Sequence, residues 1–275
     1  MKKNLTALKN LLWAGSIVVC LLACVVALFI AAFSPYKGPI VRGAPVLGAQ
    51  KTEEAAQEET QEQLPAGTEL YRVPETSDAG QGYIDSLQFL CDSSIIGLRD
   101  YALLKDGLAT TQVWGSTAGN IPAGELSDCQ IRYPADGTEI SAVEAARRDQ
   151  PARLIVVLGT DGLGDIDEDR FVEGYVDLIR QIQEASPNTL IVVCSVSSVT
   201  TTYGGSDGVN ANVIRAVNSW IQKVCTITGV YYADTASAVN DRAGWLDSDY
   251  ASANGKALNS AGIRKILDYL RIHAV

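Results

Sequence analysis

The sequence predicts an α/β fold, a five-stranded parallel sheet covered by helices on both faces, preceded by one transmembrane helix. Three observations predict it. Short, wholly apolar runs recur through residues 81–275, stretches with helical periodicity separate them, and residues 11–33 hold no charged side chain. Runs that are apolar throughout, rather than alternating, belong to strands buried on both faces, which is the situation of a parallel sheet between helix layers.

Taken in order, Met1–Asn10 carries Lys2, Lys3 and Lys9, and Leu11–Phe33 follows without a charge. At 1.5 Å per residue such a helix spans roughly 34 Å, enough for a hydrocarbon core of about 30 Å. A cleavable signal peptide has an apolar region of only about 7–15 residues. Lysines on the leading side keep residues 1–10 in the cytoplasm, so the remainder is expected outside a cell membrane crossed once. Leu21-Leu22-Ala23-Cys24 loosely resembles a lipoprotein cleavage box. Cleavage there would leave the apolar stretch Val25–Phe33 at the new terminus, where a polar tether is usual, so the anchor is read as uncleaved. Residues 34–80 read as an acidic stalk: Pro35, Pro39 and Pro45 precede KTEEAAQEETQEQL, which has too little to bury to offset the entropy of ordering.

The globular part is expected over residues 81–275. Leu87–Cys91 is a short apolar run ending in Asp92-Ser93-Ser94, where a helix can be capped. Thr110–Trp114, Arg153–Gly159, Thr189–Ser195 and Val230–Ala233 supply four more strands. Phe171, Val172, Tyr175, Leu178, Ile179 and Ile182 share one helical face, as do Ile263, Ile266, Leu267 and Leu270. Sites in such sheets form beyond the carboxyl ends of the strands. That directs attention to Asp92–Ser94, Thr160–Asp165, Ser197–Tyr203 and the stretch after Ala233.

Charge and cysteines exclude several functions. Three of the 22 basic residues and none of the 32 acidic ones precede residue 34, which leaves the remainder at a net charge of −13. A nucleic-acid binder needs a basic face, and so does a protein docking on anionic lipid by charge, so no nucleic-acid partner is expected. Six cysteines without a CxxC pair suggest neither a disulfide scaffold nor a zinc site. Whether Cys129 and Cys225 meet is a matter of geometry, while Cys91 and Cys194 fall in strands as buried thiols. The acidic run Gly164–Arg170 complements a helix dipole more simply than it binds calcium, and no metal or cofactor is expected.

Three blocks together carry a resemblance. FLCDSSIIGL (Phe89–Leu98) resembles the first block of the SGNH/GDSL hydrolases, usually FIGDS. VVLGTDG (Val156–Gly162) is similar to their GxND block, and Tyr250–Val275 resembles the closing block, in which DGxHLN precedes a glycine and the last helix. The similarity covers roughly residues 81–275 and is closest to membrane-anchored or secreted members from Gram-positive bacteria. It implies a three-layer α/β/α, flavodoxin-like fold and an ester hydrolase acting on acylated lipids or glycans. The family's serine nucleophile then falls on Ser93, whose plainer reading is a helix cap. Asp92 precedes it as in the family, and Cys91 stands where the family has glycine. Gly159 and Thr160 would line the pocket beside Asp92. The oxyanion-hole glycine matches either Gly115 or Gly119.

The same alignment places unusual residues at the chemistry. Asp161 falls on the oxyanion-hole asparagine, Asn254 on the triad aspartate and Ala257 on the triad histidine. An ionised carboxylate has no proton to donate to an oxyanion and repels it. A serine hydroxyl needs a base near neutral pH, and a methyl group is none. His273, the sole histidine, is read as a terminal surface residue, and Lys256 is the nearest basic side chain to the vacated position. The expectation is a catalytically inactive hydrolase-like domain outside the membrane. It would bind cell-envelope glycan or recruit envelope proteins through Ser93, Asp161 and the polar run Ser197–Tyr203, itself readable as a solvated loop. Trp114 and Trp245 are sugar-stacking candidates, though packing is the simpler role. The competing expectation is a working esterase on cell-surface glycan or peptidoglycan that uses Ser93 with another base.

Overall fold

The computed structural model describes residues 71–164, 166–205 and 207–275. The segment 11–33 and most of the 34–80 stalk lie outside the described residues. Among the described residues no helix is long and apolar enough to cross a membrane.

Five strands form one parallel sheet: β1 (Leu87–Cys91), β2 (Val113–Trp114), β5 (Arg153–Val157), β6 (Leu190–Cys194) and β7 (Tyr231–Ala233), in the order β2-β1-β5-β6-β7. A separate antiparallel ribbon pairs β3 (Gln130–Arg132) with β4 (Glu139–Ser141). The helices are α1 (Gly80–Asp85), α2 (Gly97–Asp100), α3 (Ala142–Asp149), α4 (Glu168–Ala185), α5 (Ala211–Thr228) and α6 (Ser260–Arg271). The step from β1 to β2 runs toward one edge of the sheet, and the steps from β2 through β7 run toward the other. Right-handed crossovers therefore place α2 on one face and α3, α4 and α5 on the opposite face. The packing agrees: α4 lies against α3 and α5, while α6 lies against α1 and α2.

Local chemistry explains the long helices. Asp167 caps α4 by accepting the Arg170 N–H at 2.9 Å, with Glu168 and Asp169 in the first turn against the helix dipole. Its buried stripe is Phe171, Val172, Tyr175, Val176, Leu178, Ile179 and Ile182. Asn210 caps α5 through the N–H groups of Asn212 and Val213, and Gly229 ends it in the left-handed region. Asn259 caps α6 by accepting the Gly262 N–H at 2.9 Å.

Three sequence expectations change. No helix is capped at Ser93: residues 93–96 form turns, and α2, only four residues long, begins at Gly97 with no side-chain cap. The folded unit also begins before residue 81. Tyr71 and Val73 bond the main chain of Tyr232 at the β7 edge, and Thr76 and Ala79 donate to the carbonyls of Ile272 and Arg271. Residues 71–80 therefore belong to the domain and not to the stalk. Ser195, Ser197, Ser198 and Thr200 are buried, so only the end of that run, Thr201 and Thr202, is a solvated loop. Cys91 and Cys194 are buried thiols as expected, and Cys129 and Cys225 do not pair: all four are free and buried. Burial pushes the Cys129 and Cys194 thiols up to about 12, and Cys91 higher still, so none is a ready thiolate.

Candidate active site

The sheet changes direction of growth between β1 and β5, and Asp92-Ser93 and Thr160-Asp161 leave the carboxyl ends of those two strands. A crevice at such a switch point is where ligands of open α/β sheets bind. Two buried carboxylates dominate it.

Asp92 is 1% exposed and takes donors from both strand ends. Oδ1 accepts from the N–H and hydroxyl of Ser94 at 3.0 and 2.6 Å; Oδ2 accepts from the N–H groups of Gly159 and Thr160 at 2.9 and 2.8 Å and from the Thr160 hydroxyl at 2.9 Å. Burial, and then the Asp161 charge, raises its pKa above the ordinary aspartate value against the pull of those bonds. Gly159 is required for this closure. Its φ is +128°, and a Cβ there would sit 3.2 Å from both Phe171 and Val217.

Asp161, 5% exposed, faces Ser93. Oδ1 accepts the Ser93 hydroxyl at 2.5 Å, and Oδ2 accepts the Ser93 N–H at 3.1 Å and the Ile121 N–H at 3.2 Å. Ile121 is held there because the Ala123 N–H donates to the Asp161 carbonyl at 2.8 Å. The chain then turns sharply at Gly162 (φ +67°), where a Cβ would press on Pro122 at 3.0 Å. The Lys256 ammonium stands 3.6 Å from Asp161 Oδ1 and 3.1 Å from Asp207 Oδ2, and the Tyr203 hydroxyl donates to the same Asp207 oxygen at 2.8 Å. A polar chain thus runs from half-buried Ser93 out to the 200–208 loop. Burial of Asp207 works to raise its pKa, but the bonds from Tyr203 and Lys256 outweigh it and the net direction is down. Burial and the Asp207 contact push Tyr203 up to about 12.

The closing block lies alongside. The Leu258 N–H donates to the Ser94 carbonyl at 3.0 Å, and the Thr200 N–H to the Gly255 carbonyl at 2.9 Å. Asn254 is spent within its own turn: Oδ1 accepts from the Ser252 hydroxyl and from the N–H groups of Lys256 and Ala257 at 2.7, 2.9 and 3.0 Å. Ala257 is half-buried in the same turn.

Of the two glycine candidates, Gly119 donates its N–H to the Ser116 carbonyl in a turn, and Gly115 packs against Ile96 and accepts from the Arg132 N–H. The N–H that reaches the site alongside that of Ser93 belongs to Ile121. Sequence reasoning missed it because a main-chain donor leaves no side-chain signature. It missed Asp207 as well, which only the fold brings to Lys256. Trp114, in the edge strand β2, is fully buried and offers no face to a sugar, whereas Trp245 is half-buried at the core margin. His273 is half-buried rather than a free surface residue. Its ring stacks on Tyr269 with centroids 3.8 Å apart, and it lines a cavity of about 440 Å3 with Arg72, Glu75 and Ser237, apart from the Ser93 residues. Among the described residues no group of three potential metal ligands converges.

The family model of the GDSL-like Lipase/Acylhydrolase family matches residues 117–264, more than half of the chain. The chain belongs to that family. Solved structures align with the chain at low identity. A GDSL-like lipase from Bacteroides thetaiotaomicron is 13% identical over 74% of this chain and 90% of its own, with a TM-score of 0.47. A carbohydrate esterase family 3 protein from Talaromyces cellulolyticus is 16% identical over 67% of this chain and 93% of its own, with a TM-score of 0.44. A search of curated proteins found no match. This GDSL-family domain therefore has a serine, Ser93, at the carboxyl end of β1, flanked by a lysine-backed carboxylate.

Proposed function

We propose that this GDSL-family protein is a membrane-anchored, extracytoplasmic binding module whose hydrolase site does not turn over. One observation carries the reading: the Asp161 carboxylate accepts the main-chain N–H of Ser93 itself and that of Ile121. Ester hydrolysis stabilises an oxyanion with such donors, and loss of one costs about 2.7–4 kcal/mol. Here both donors are committed, and a negative charge stands where the oxyanion would form. At the position that the family resemblance gives to the base there is the methyl of Ala257, and Asn254 is consumed inside its turn. The uncharged segment 11–33 behind Lys2, Lys3 and Lys9 supports a single-pass anchor with the domain outside the cell membrane.

The rim of the crevice, with Thr201, Thr202, Tyr203 and Asp207, is hydroxyl-rich and carries more acid than base. It suits a neutral, hydroxylated ligand such as envelope glycan and disfavours anions. A surface that recruits envelope proteins is the other form of the same reading, and the two separate by glycan retention on a column as against protein co-purification.

One contact favours a second reading. The Ser93 hydroxyl lies 2.5 Å from Asp161 Oδ1, the geometry of a nucleophile and its base, so Asp161 could serve a working esterase. Full-length protein in detergent, tested with p-nitrophenyl acetate and a fluorophosphonate, decides between them. The binding module predicts that the natural protein matches Ser93→Ala, while Asp161→Asn, Asn254→Asp and Ala257→His together create Ser93-dependent turnover. The esterase predicts natural activity at least 100-fold above Ser93→Ala that Asp161→Asn abolishes.

A further inference from the structure

Four donors converge on one side chain in the crevice. The N–H of Ser93 and the N–H of Ile121 meet Asp161 Oδ2 at 3.1 and 3.2 Å, the Ser93 hydroxyl meets Oδ1 at 2.5 Å, and the Lys256 ammonium backs Oδ1 at 3.6 Å. These donors come from three separate parts of the chain: the β1 end, the loop before residue 123, and the closing turn. Each is held independently of Asp161's side chain. The Ser93 turn is held by the Asp92 bonds, Ile121 by main-chain pairing of 122–123 with the backbone of residue 161, and Lys256 by Asp207 and the 254 turn.

We infer that this is a preformed carboxylate-binding cradle which Asp161 fills in cis, an internal plug that keeps external oxyanions out of the crevice. The inference deepens the proposed function and rests on its reading of Asp161 as an occupant rather than a base. The cradle takes a small carboxylate because its donors divide between the two oxygens: two N–H groups share one, and a hydroxyl and an ammonium share the other. Charge-assisted bonds of this kind are about twice as strong as neutral ones. With the side chain shortened to a methyl, the same donors are left without a partner in a buried site. A free carboxylate of one or two carbons has the size to replace what was removed.

The test is binding of acetate to full-length Asp161→Ala in detergent, read as thermal stability against chloride at matched ionic strength. A ligand that binds only the folded state raises Tm by about 3–5 °C for each tenfold excess over its Kd in a domain of this size. The expected result is an acetate-specific rise in Asp161→Ala, none in the natural protein, and at least a tenfold weaker acetate affinity when Lys256→Met is added. An Asp161→Ala protein that folds and shows no acetate-specific rise overturns the inference, as does an equal rise in the natural protein. Should Asp161→Ala not fold, amide proton shifts decide. The Ser93 and Ile121 amide protons then lie downfield in the natural protein relative to Asp161→Asn, because a carboxylate is the stronger acceptor, and unchanged shifts overturn the cradle. Acetate binding involves no turnover. Natural esterase activity would sink the binding-module reading by the assay above, whereas absence of acetate binding would sink the cradle and leave inactivity standing.

Discussion

Asp92 and Asp161 are both buried aspartates at neighbouring strand ends, and they do different work. Asp92 has five donors from three residues, all uncharged, and they join the end of β1 to the end of β5. No cation is paired with it among the described residues, and its pKa is raised by burial and by Asp161. Asp161 has three donors and a lysine, and its partners lead outward through Lys256 and Asp207 to a loop at the surface. The difference teaches where fold ends and site begins. A carboxylate satisfied by local neutral donors staples two elements. One satisfied by a cation from a distant block can be exchanged without unmaking the sheet.

Removing the staple is the largest expected effect. Asp92→Ala leaves the buried N–H groups of Ser94, Gly159 and Thr160 unpaired, and each orphaned donor costs about 1–3 kcal/mol. A loss of about 3–5 kcal/mol is expected, read as a lowered urea midpoint with an unchanged m-value. A loss below about 1 kcal/mol would break the comparison, since Asp92 would then be no more structural than a surface residue. Its pH signature is also distinctive. The folded carboxyl keeps its proton to higher pH than the unfolded chain, so the proton-linked part of its contribution is fully present below about pH 3.9 and is lost as pH rises through the folded value, while the hydrogen-bonded part remains.

A smaller loss is expected at the exchangeable carboxylate. Lys256→Met keeps the aliphatic stem but strips Asp161 of its cation, leaving its three hydrogen bonds in place. A loss of about 1–3 kcal/mol is expected, because the charge is buried yet still well bonded. Adding Asp161→Asn to Lys256→Met should recover most of it, since the only charge then left without its cation is that of exposed Asp207, which water screens. A double-mutant cycle reads that recovery as a coupling term. Additive losses would mean that the 3.6 Å contact carries no energy.

How much of this was legible in the sequence follows from the same physics. The five strands were, because a strand buried on both faces is apolar at every position: Leu154, Ile155, Val156 and Val157 are all buried, as are Ile191 to Cys194. Helix α4 was, because its stripe keeps the 3.6-residue period. Helix α5 has an equally regular stripe in Ile214, Val217, Ile221, Val224 and Cys225, yet its sequence carries apolar residues between them that blur the period. The β3–β4 ribbon, three residues a side, is too short and too polar to announce itself. In the site, the blocks pointed to Ser93 and Asp161, which the fold brings into hydrogen bonding, and to Asn254 and Ala257, which share the turn before Leu258. The short α2 was not, because Asp92 is held by donors of Ser94 and of the Gly159–Thr160 turn after β5 rather than as a helix cap. What the sequence could not express was pairing across the fold: Ile121 through its main chain, and Asp207 across 49 residues from Lys256.

The smallest expected effect tests the outer end of the chain of contacts. Asp207 is 37% exposed on its side chain, so water and salt screen its pair with Lys256. Asp207→Asn should cost less than about 1 kcal/mol at neutral pH, and less again at 1 M salt. The sign of its pH dependence is opposite to that of Asp92. Its folded pKa is lowered, so its contribution is present above the unfolded value near 3.9 and is lost as pH falls through the folded value. The stability difference between the natural protein and Asp207→Asn should therefore be flat from pH 5 to 8 and close below about pH 4. A difference that instead grew toward low pH would mean that the loop carboxylate is held by something other than Lys256 and Tyr203, and that the surface loop is not energetically joined to Ser93.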